Sequence, residues 1–336
     1  MSKLCVVEDL PAELWNSFLK NHTTGNFEQC FEYGEIARKV FPRTKVVRLA
    51  CMQNDELVGV LQGSYSRYFG FGVTLGLRRG PVLNFDKEGY TNVAERLLLT
   101  LESFAKKNRI ITARIQVPQS WNISEVFLSL GYSLAGYLNE YIINLDNGIE
   151  YLWKTISHNK RKNIKKGMKE NVEVFESRKR EDLLAFYSML QAAEKRGGFK
   201  SYPLKWFEAV WDIYKPELSK VFLTRWNNKN IAGVFTVMHS KTVYAFAAGS
   251  FSEGWKVRPN DIMHWKVMEW AYQNGYSKYH MGFVSEPLPT EGTNSWGIWR
   301  WKREWGGDLK RLQIFQKFFM PKYKFVLKVK GFVERT

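Results

Sequence analysis

One short pattern, present twice, constrains this chain more than any other feature. Asn54-Asp55-Glu56-Leu57-Val58-Gly59-Val60-Leu61 returns as Asn228-Lys229-Asn230-Ile231-Ala232-Gly233-Val234-Phe235. Each copy reads as a polar turn leading into a strand with a glycine near its start. Strand-like runs precede both copies, Val46-Val47-Arg48-Leu49-Ala50 and Val221-Phe222-Leu223-Thr224. A helix follows each. The first is predicted over 93–107, with Val93, Leu97, Leu98, Leu101 and Phe104 on one face. The second is predicted over 261–274, with Met263, Val267, Trp270 and Ala271 inward and Gly275 as its cap. Each helix leads to another strand-like stretch, 110–117 and 276–281.

Strand, turn, strand, helix, strand is the order of an acetyltransferase-like (GNAT) domain. Finding it twice predicts an α+β protein of tandem GNAT-like domains, each a mixed, mostly antiparallel sheet flanked by helices. Residues 138–145 read as a closing strand, so the junction is placed near Asp146–Gly148, giving domains 1–147 and 148–336. Beyond the junction the pattern predicts one helix over 150–169 and another over 181–195 ending at Gly197-Gly198.

Composition removes several classes. The 336 residues are 45% hydrophobic, enough for two ordinary cores, and 13 Trp, 16 Tyr and 23 Phe argue against disorder. No apolar run approaches the roughly 20 residues that cross a bilayer. The start meets Glu8 and Asp9 without a signal-peptide core, so a cytoplasmic protein is expected. Cys5, Cys30 and Cys51 form no CxxC and are read as buried small hydrophobes. The histidines form no HExxH, so no metal is expected. No P-loop motif and no cofactor motif is present. The net charge of +17 points to phosphate-bearing partners.

Two segments carry chemistry. In Arg161-Lys162-Asn163-Ile164-Lys165-Lys166-Gly167, with Lys169 beyond, cations crowd one helix at a cost that a polyanion would offset. The alternative is a solvated cationic face. In the second segment, Trp296 to Gly307, Trp296, Trp299, Trp301 and Trp305 surround Lys302. Tryptophans so placed line a polar-substrate site or pack a core. A lysine amid them needs a partner or a purpose.

These segments resemble the Fem family of aminoacyltransferases. Arg161–Gly167 is similar to the family's R-x-x-I-R-K-A, and Trp301-Lys302-Arg303-Glu304-Trp305-Gly306-Gly307 to its F-K-x-x-F-G-G. Gly80-Pro81-Val82 resembles G-P-V, and Gln29–Tyr33 resembles Q-x-x-x-[WY]. Ala248-Gly249-Ser250 follows, then Pro259 ahead of a helix holding Trp270-Ala271, both in the family's order. The likeness spans nearly the whole chain, and with no long heptad stretch it is to the small, arm-less type.

The resemblance implies transfer of an amino acid from aminoacyl-tRNA to an amine of a nucleotide- or lipid-linked peptidoglycan-type precursor, with possible peripheral membrane contact. Lys302 would stabilise the oxyanion. Arg161, Lys162, Lys165, Lys166 and Lys169 would hold tRNA phosphates. Arg38, Lys39, Lys200, Tyr202, Trp206 and Trp301 would line the substrate site. The chain departs from the family where Ala37 and Tyr202 replace basic residues that hold a muropeptide diphosphate, and where D-x-G-G reads His280-Met281-Gly282-Phe283.

Two rivals stay open. A CoA-dependent GNAT enzyme needs a glycine-rich turn at a helix N-terminus. The matching stretch Lys256–Asp261 has no glycine, and Pro259 removes an N–H. A basic RNA-binding module would stack bases on its aromatics.

Overall fold

A computed structural model describes residues 4–323 apart from Asp9, Phe69, Arg178 and Asn294. The chain divides into two compact units. One comprises the chain up to Leu138 and the stretch from Arg311 onward; the other is Asn139–Lys310.

In chain order the first unit holds β1 (Leu4–Glu8), α1 (Ala12–Asn21), α2 (Phe31–Val40), β2 (Thr44–Gln53), β3 (Glu56–Tyr68), β4 (Phe71–Leu77), β5 (Val82–Leu83), α3 (Tyr90–Lys107), β6 (Ile110–Pro118) and α4 (Ser124–Ser129). Strand β7 (Ser133–Asn144) carries the chain from the first unit into the second. The second unit continues with α5 (Ile149–Thr155), α6 (His158–Lys169), β8 (Glu173–Ser177), α7 (Glu181–Gly197), α8 (Leu204–Leu218), β9 (Ser219–Trp226), β10 (Lys229–His239), β11 (Thr242–Ser250), α9 (Pro259–Gln273), β12 (Lys278–Ser285) and α10 (Trp296–Arg303). Strand β13 (Asp308–Phe318) then returns to the first unit.

The repeated pattern is structural. Asn54-Asp55 and Asn227-Asn228 are two-residue hairpin turns, with φ of 49° and 63° in one and 48° and 60° in the other. Two consecutive left-handed residues match the twist of the flanking strands, which is why Asn and Asp occupy them. Strands run β1-β2-β3-β4-β6 in one unit and β8-β9-β10-β11-β12 in the other. In both, three antiparallel pairings are followed by one parallel pairing, β4 with β6 and β11 with β12. A parallel pair needs a crossover helix, supplied by α3 and by α9. Two helices also separate the first strand from the second in each unit. The duplication therefore reaches further than the sequence pattern revealed.

Both crossover helices bury the expected faces. Val93, Leu97, Leu98 and Leu101 of α3 pack on β2 and β3, with Phe104 at the margin. Met263, Val267 and Ala271 of α9 are buried with Trp270 beside them. Gly275 sits just past α9 at φ 77°, where the Tyr276 amide donates back to the Ala271 carbonyl.

Three expectations need correction. The junction does not lie at 147 with 148–336 as one domain: Leu312–Phe318 of β13 pair antiparallel with Pro118–Thr112 of β6, so the C-terminal strand belongs to the first unit. Residues 324–336 lie outside the described residues. The helix expected over 150–169 is two helices, because Ile156 is extended and the Ser157 hydroxyl caps α6 by accepting the Lys160 amide. Finally, Cys5 is exposed on β1, while Cys30 and Cys51 are buried.

Candidate active site

Lys302 lies near the end of α10 and is only 7% exposed. Its ammonium donates to the Phe283 carbonyl at 2.8 Å. It also faces Gly282, whose φ of 80° favours glycine; an added Cβ would sit in ordinary contact with the nitrogen, at 3.6 Å. A lone carbonyl does not offset the loss of water, so burial brings the Lys302 pKa down to about 8.

His264 of α9 stands within electrostatic reach of this lysine. Its Nδ1 is 2.7 Å from the Tyr279 hydroxyl. Burial, then the charges of Lys160 and Lys302, bring its pKa down to about 3, so the ring is neutral at working pH.

Lys160 is the residue that sequence reasoning passed over. Its side chain is fully buried, and its ammonium donates to Asp261 Oδ1 at 2.6 Å and lies 3.5 Å from Glu304. The rings of Trp301 and Trp305 flank it at 4.6 and 4.8 Å. Burial lowers its pKa, against the opposing pull of Asp261 and Glu304. The signal was present: Lys160, Ile164 and Gly167 recur at helical spacing, and all three are buried on one face of α6. Gly167 is there because Ile262 of α9 would stand 3.0 Å from any Cβ.

Asp261 is shared. Oδ1 also accepts the Trp301 indole N–H at 2.7 Å, and Oδ2 accepts Asn163 at 3.0 Å. Trp301 and Trp305 share one face, with rings in edge contact 5.8 Å apart, and the cation beside both rings is Lys160.

The outer face of α6 is cationic. Lys162, Lys165, Lys166 and Lys169 line a concavity of about 450 Å³ together with Asn159, Asn163 and Arg258. Arg161 is used elsewhere: its guanidinium donates to the carbonyls of Trp153, Lys154 and Ile156 and so closes the end of α5.

The remaining candidates lie on other elements. Arg38 and Lys39 are exposed on the last turn of α2 in the first unit, and Arg38 pairs with Glu35 at 3.2 Å. Lys200 is exposed after α7. Tyr202 is stacked between Trp206 and Phe246, and Trp206 is buried in the core. Gln29 and Gly80, from separate motifs, do meet. The Gln29 amide bridges the backbone of Gln62 and the Arg78 carbonyl, and a Cβ on Gly80 would strike it at 2.9 Å. Those two motifs shape the fold of the first unit.

The acetyltransferase (GNAT) domain family matches residues 158–303, from the start of α6 to the end of α10. The chain is 20% identical to a lipid II:glycine glycyltransferase of Staphylococcus saprophyticus subsp. saprophyticus, over 87% of each chain. The crystal structure of FemX superposes with a TM-score of 0.83 at 16% identity, covering 96% of this chain and 99% of that one. In fold and over most of its length the chain is similar to these proteins. The matches also include a tandem GNAT protein from the clavulanic acid biosynthesis pathway, with TM-score 0.58 and 9% identity over 94% and 98% of the chains. That likeness is one of fold, and it agrees with the duplicated strand order.

Proposed function

We propose that this acyltransferase moves an aminoacyl group from aminoacyl-tRNA to an amine of a peptidoglycan-type precursor, with Lys302 stabilising the oxyanion. The acceptor nitrogen attacks the ester carbonyl, and negative charge collects on the carbonyl oxygen. Collapse forms the amide and breaks the ester C–O bond. The tRNA hydroxyl leaves with a proton from the attacking amine. The observation that carries the reading is the buried Lys302 ammonium. A cation fixed in a poorly solvated site is already oriented when the charge develops. The lipid II specificity in the relative's name, together with the Fem-like fold, supports a lipid-linked cell-wall acceptor. No helix among the described residues is long and apolar enough to cross a membrane. A lipid-linked acceptor would be met at a membrane surface.

A CoA donor fits less well. The first turn of α9, where a pyrophosphate would rest in a GNAT domain, holds the Asp261 carboxylate and begins with Pro259. Proline withholds a donor there, and the Asp261 side chain is turned to Lys160, Trp301 and Asn163. The cationic concavity beside α6 instead suits the repeating phosphates of an RNA backbone.

The test is label transfer from a pool of charged tRNAs to candidate acceptor amines, with wild type and Lys302→Met. Methionine keeps the stem and removes the charge. Loss of one oxyanion donor costs roughly 100- to 1,000-fold in turnover. Normal transfer by a folded Lys302→Met protein would end the mechanism. Transfer from acyl-CoA alone would move the chain to the CoA-dependent class, and equal affinity for charged and uncharged tRNA with no transfer would leave plain RNA binding.

A further inference from the structure

The segment where this chain departs from the family pattern, His280-Met281-Gly282-Phe283, lies directly under Lys302. His280 is buried at the centre of β12. Its Nδ1 lies 3.0 Å from the Gly282 amide, which can only donate. Nδ1 therefore carries no proton, and the proton sits on Nε2, 3.1 Å from the buried Glu140 carboxylate of β7. The ring is thus pinned at both nitrogens. The amide it grips belongs to a residue at φ 80°, and the next residue, Phe283, is the one whose carbonyl takes the Lys302 ammonium. Phe283 is 37% exposed, and its ring lies 5.6 Å from that of His280.

We infer that His280, oriented by Glu140, is a positioning residue for Lys302: it holds the left-handed Gly282 step within β12 so that the Phe283 carbonyl fixes the ammonium where the oxyanion forms. The inference rests on the catalytic reading of Lys302. A carboxylate acting on an imidazole to set one tautomer is a familiar arrangement in catalytic and metal sites. Here the beneficiary is a backbone amide, and the effect reaches the reaction through two residues of strand.

The chemistry of replacement makes this testable in the full-length protein. Asparagine at 280 places an amide oxygen close to the Nδ1 position and accepts the same N–H. Glutamine reaches toward the Nε2 position and misses it. Alanine offers no acceptor. Lys302 loosened by an ångström would lower turnover roughly 10- to 100-fold while leaving donor binding nearly unchanged. Steady-state kcat and KM for aminoacyl-tRNA are measured for wild type, His280→Ala, His280→Asn, His280→Gln and Lys302→Met, with thermal melts on each. The expected result is low kcat with KM within about twofold for His280→Ala and His280→Gln, and recovery of most of the turnover by His280→Asn. If His280→Ala does not fold, the asparagine–glutamine contrast decides alone, and equal turnover in those two overturns the inference. Wild-type turnover in His280→Ala or His280→Gln alongside an inactive Lys302→Met overturns it and leaves the Lys302 mechanism standing. An active Lys302→Met removes the mechanism on which it rests.

Discussion

Lys160 and Lys302 are both buried lysines, yet their surroundings assign them different work. Lys160 has two carboxylates and two indole faces, and Lys302 has one carbonyl. A buried cation with full counter-charge is a fastener. Removing it strands Asp261 and Glu304 against each other, so Lys160→Met should lose about 3–5 kcal/mol of stability in denaturant melts. A lysine with little compensation keeps its charge available to a substrate, and it releases its proton near neutrality. Turnover that requires the ammonium should therefore fall as pH rises through about 8, a limb absent from the residual rate of Lys302→Met. His264 makes the acid-side counterpart. Its folded pKa of about 3 lies below the ordinary 6.5, so the unfolded chain takes up a proton first as pH falls. Its contribution is fully present above 6.5 and drains away between 6.5 and 3, at about 1.4 kcal/mol per unit. His264→Asn, whose amide oxygen falls close to the Nδ1 position and keeps a partner for Tyr279, should flatten that part of the stability–pH curve. Lys302 stood out in the sequence because a lysine among tryptophans demands explanation, and its burial against a single carbonyl was not readable there. Lys160 was hidden by its basic neighbours, and only the Ile164–Gly167 spacing gave it away.

At the scale of elements, α6 has two faces with opposite tasks. The inner one, Lys160, Ile164 and Gly167, is closed against α9 by Asp261 and Ile262. The outer one offers four lysines to solvent, and Arg258, just ahead of α9, lines the same concavity. Replacing Lys165 and Lys166 by Glu should weaken tRNA binding and reduce the slope of log affinity against log salt by at least about one unit, measured by filter binding across salt. An unchanged slope would make this face merely solvated. The sequence indicated the cationic run but not the break before it, since Ile156 and Ser157 interrupt no hydrophobic period. A serine three residues ahead of the Lys160 amide was the available clue. Arg161 shows the reverse limit: nothing local reveals that its guanidinium folds back onto the end of α5.

At the scale of the whole molecule, the duplication was legible because asparagine-rich two-residue turns are short-range signals. The partition of the chain was not. The pairing of Leu312 with Pro118 joins strands separated by most of the sequence, and no periodicity within either strand reports it. The same pairing imposes a timetable on biosynthesis. The ribosome delivers all of Asn139–Lys310 between the two pieces of the first unit. The second unit, an uninterrupted segment, can close as soon as it clears the exit tunnel. The first must wait with one edge of β6 unmatched, a template for pairing with other nascent chains. A polypeptide stopped after Lys310 should therefore pellet on sedimentation while the full chain stays in the supernatant. Supplying residues 311–323 through a short linker after Leu138 should return the first unit to solution. The unit that is begun first is finished after the other, and a chaperone guarding it would have to hold on until β13 has been made.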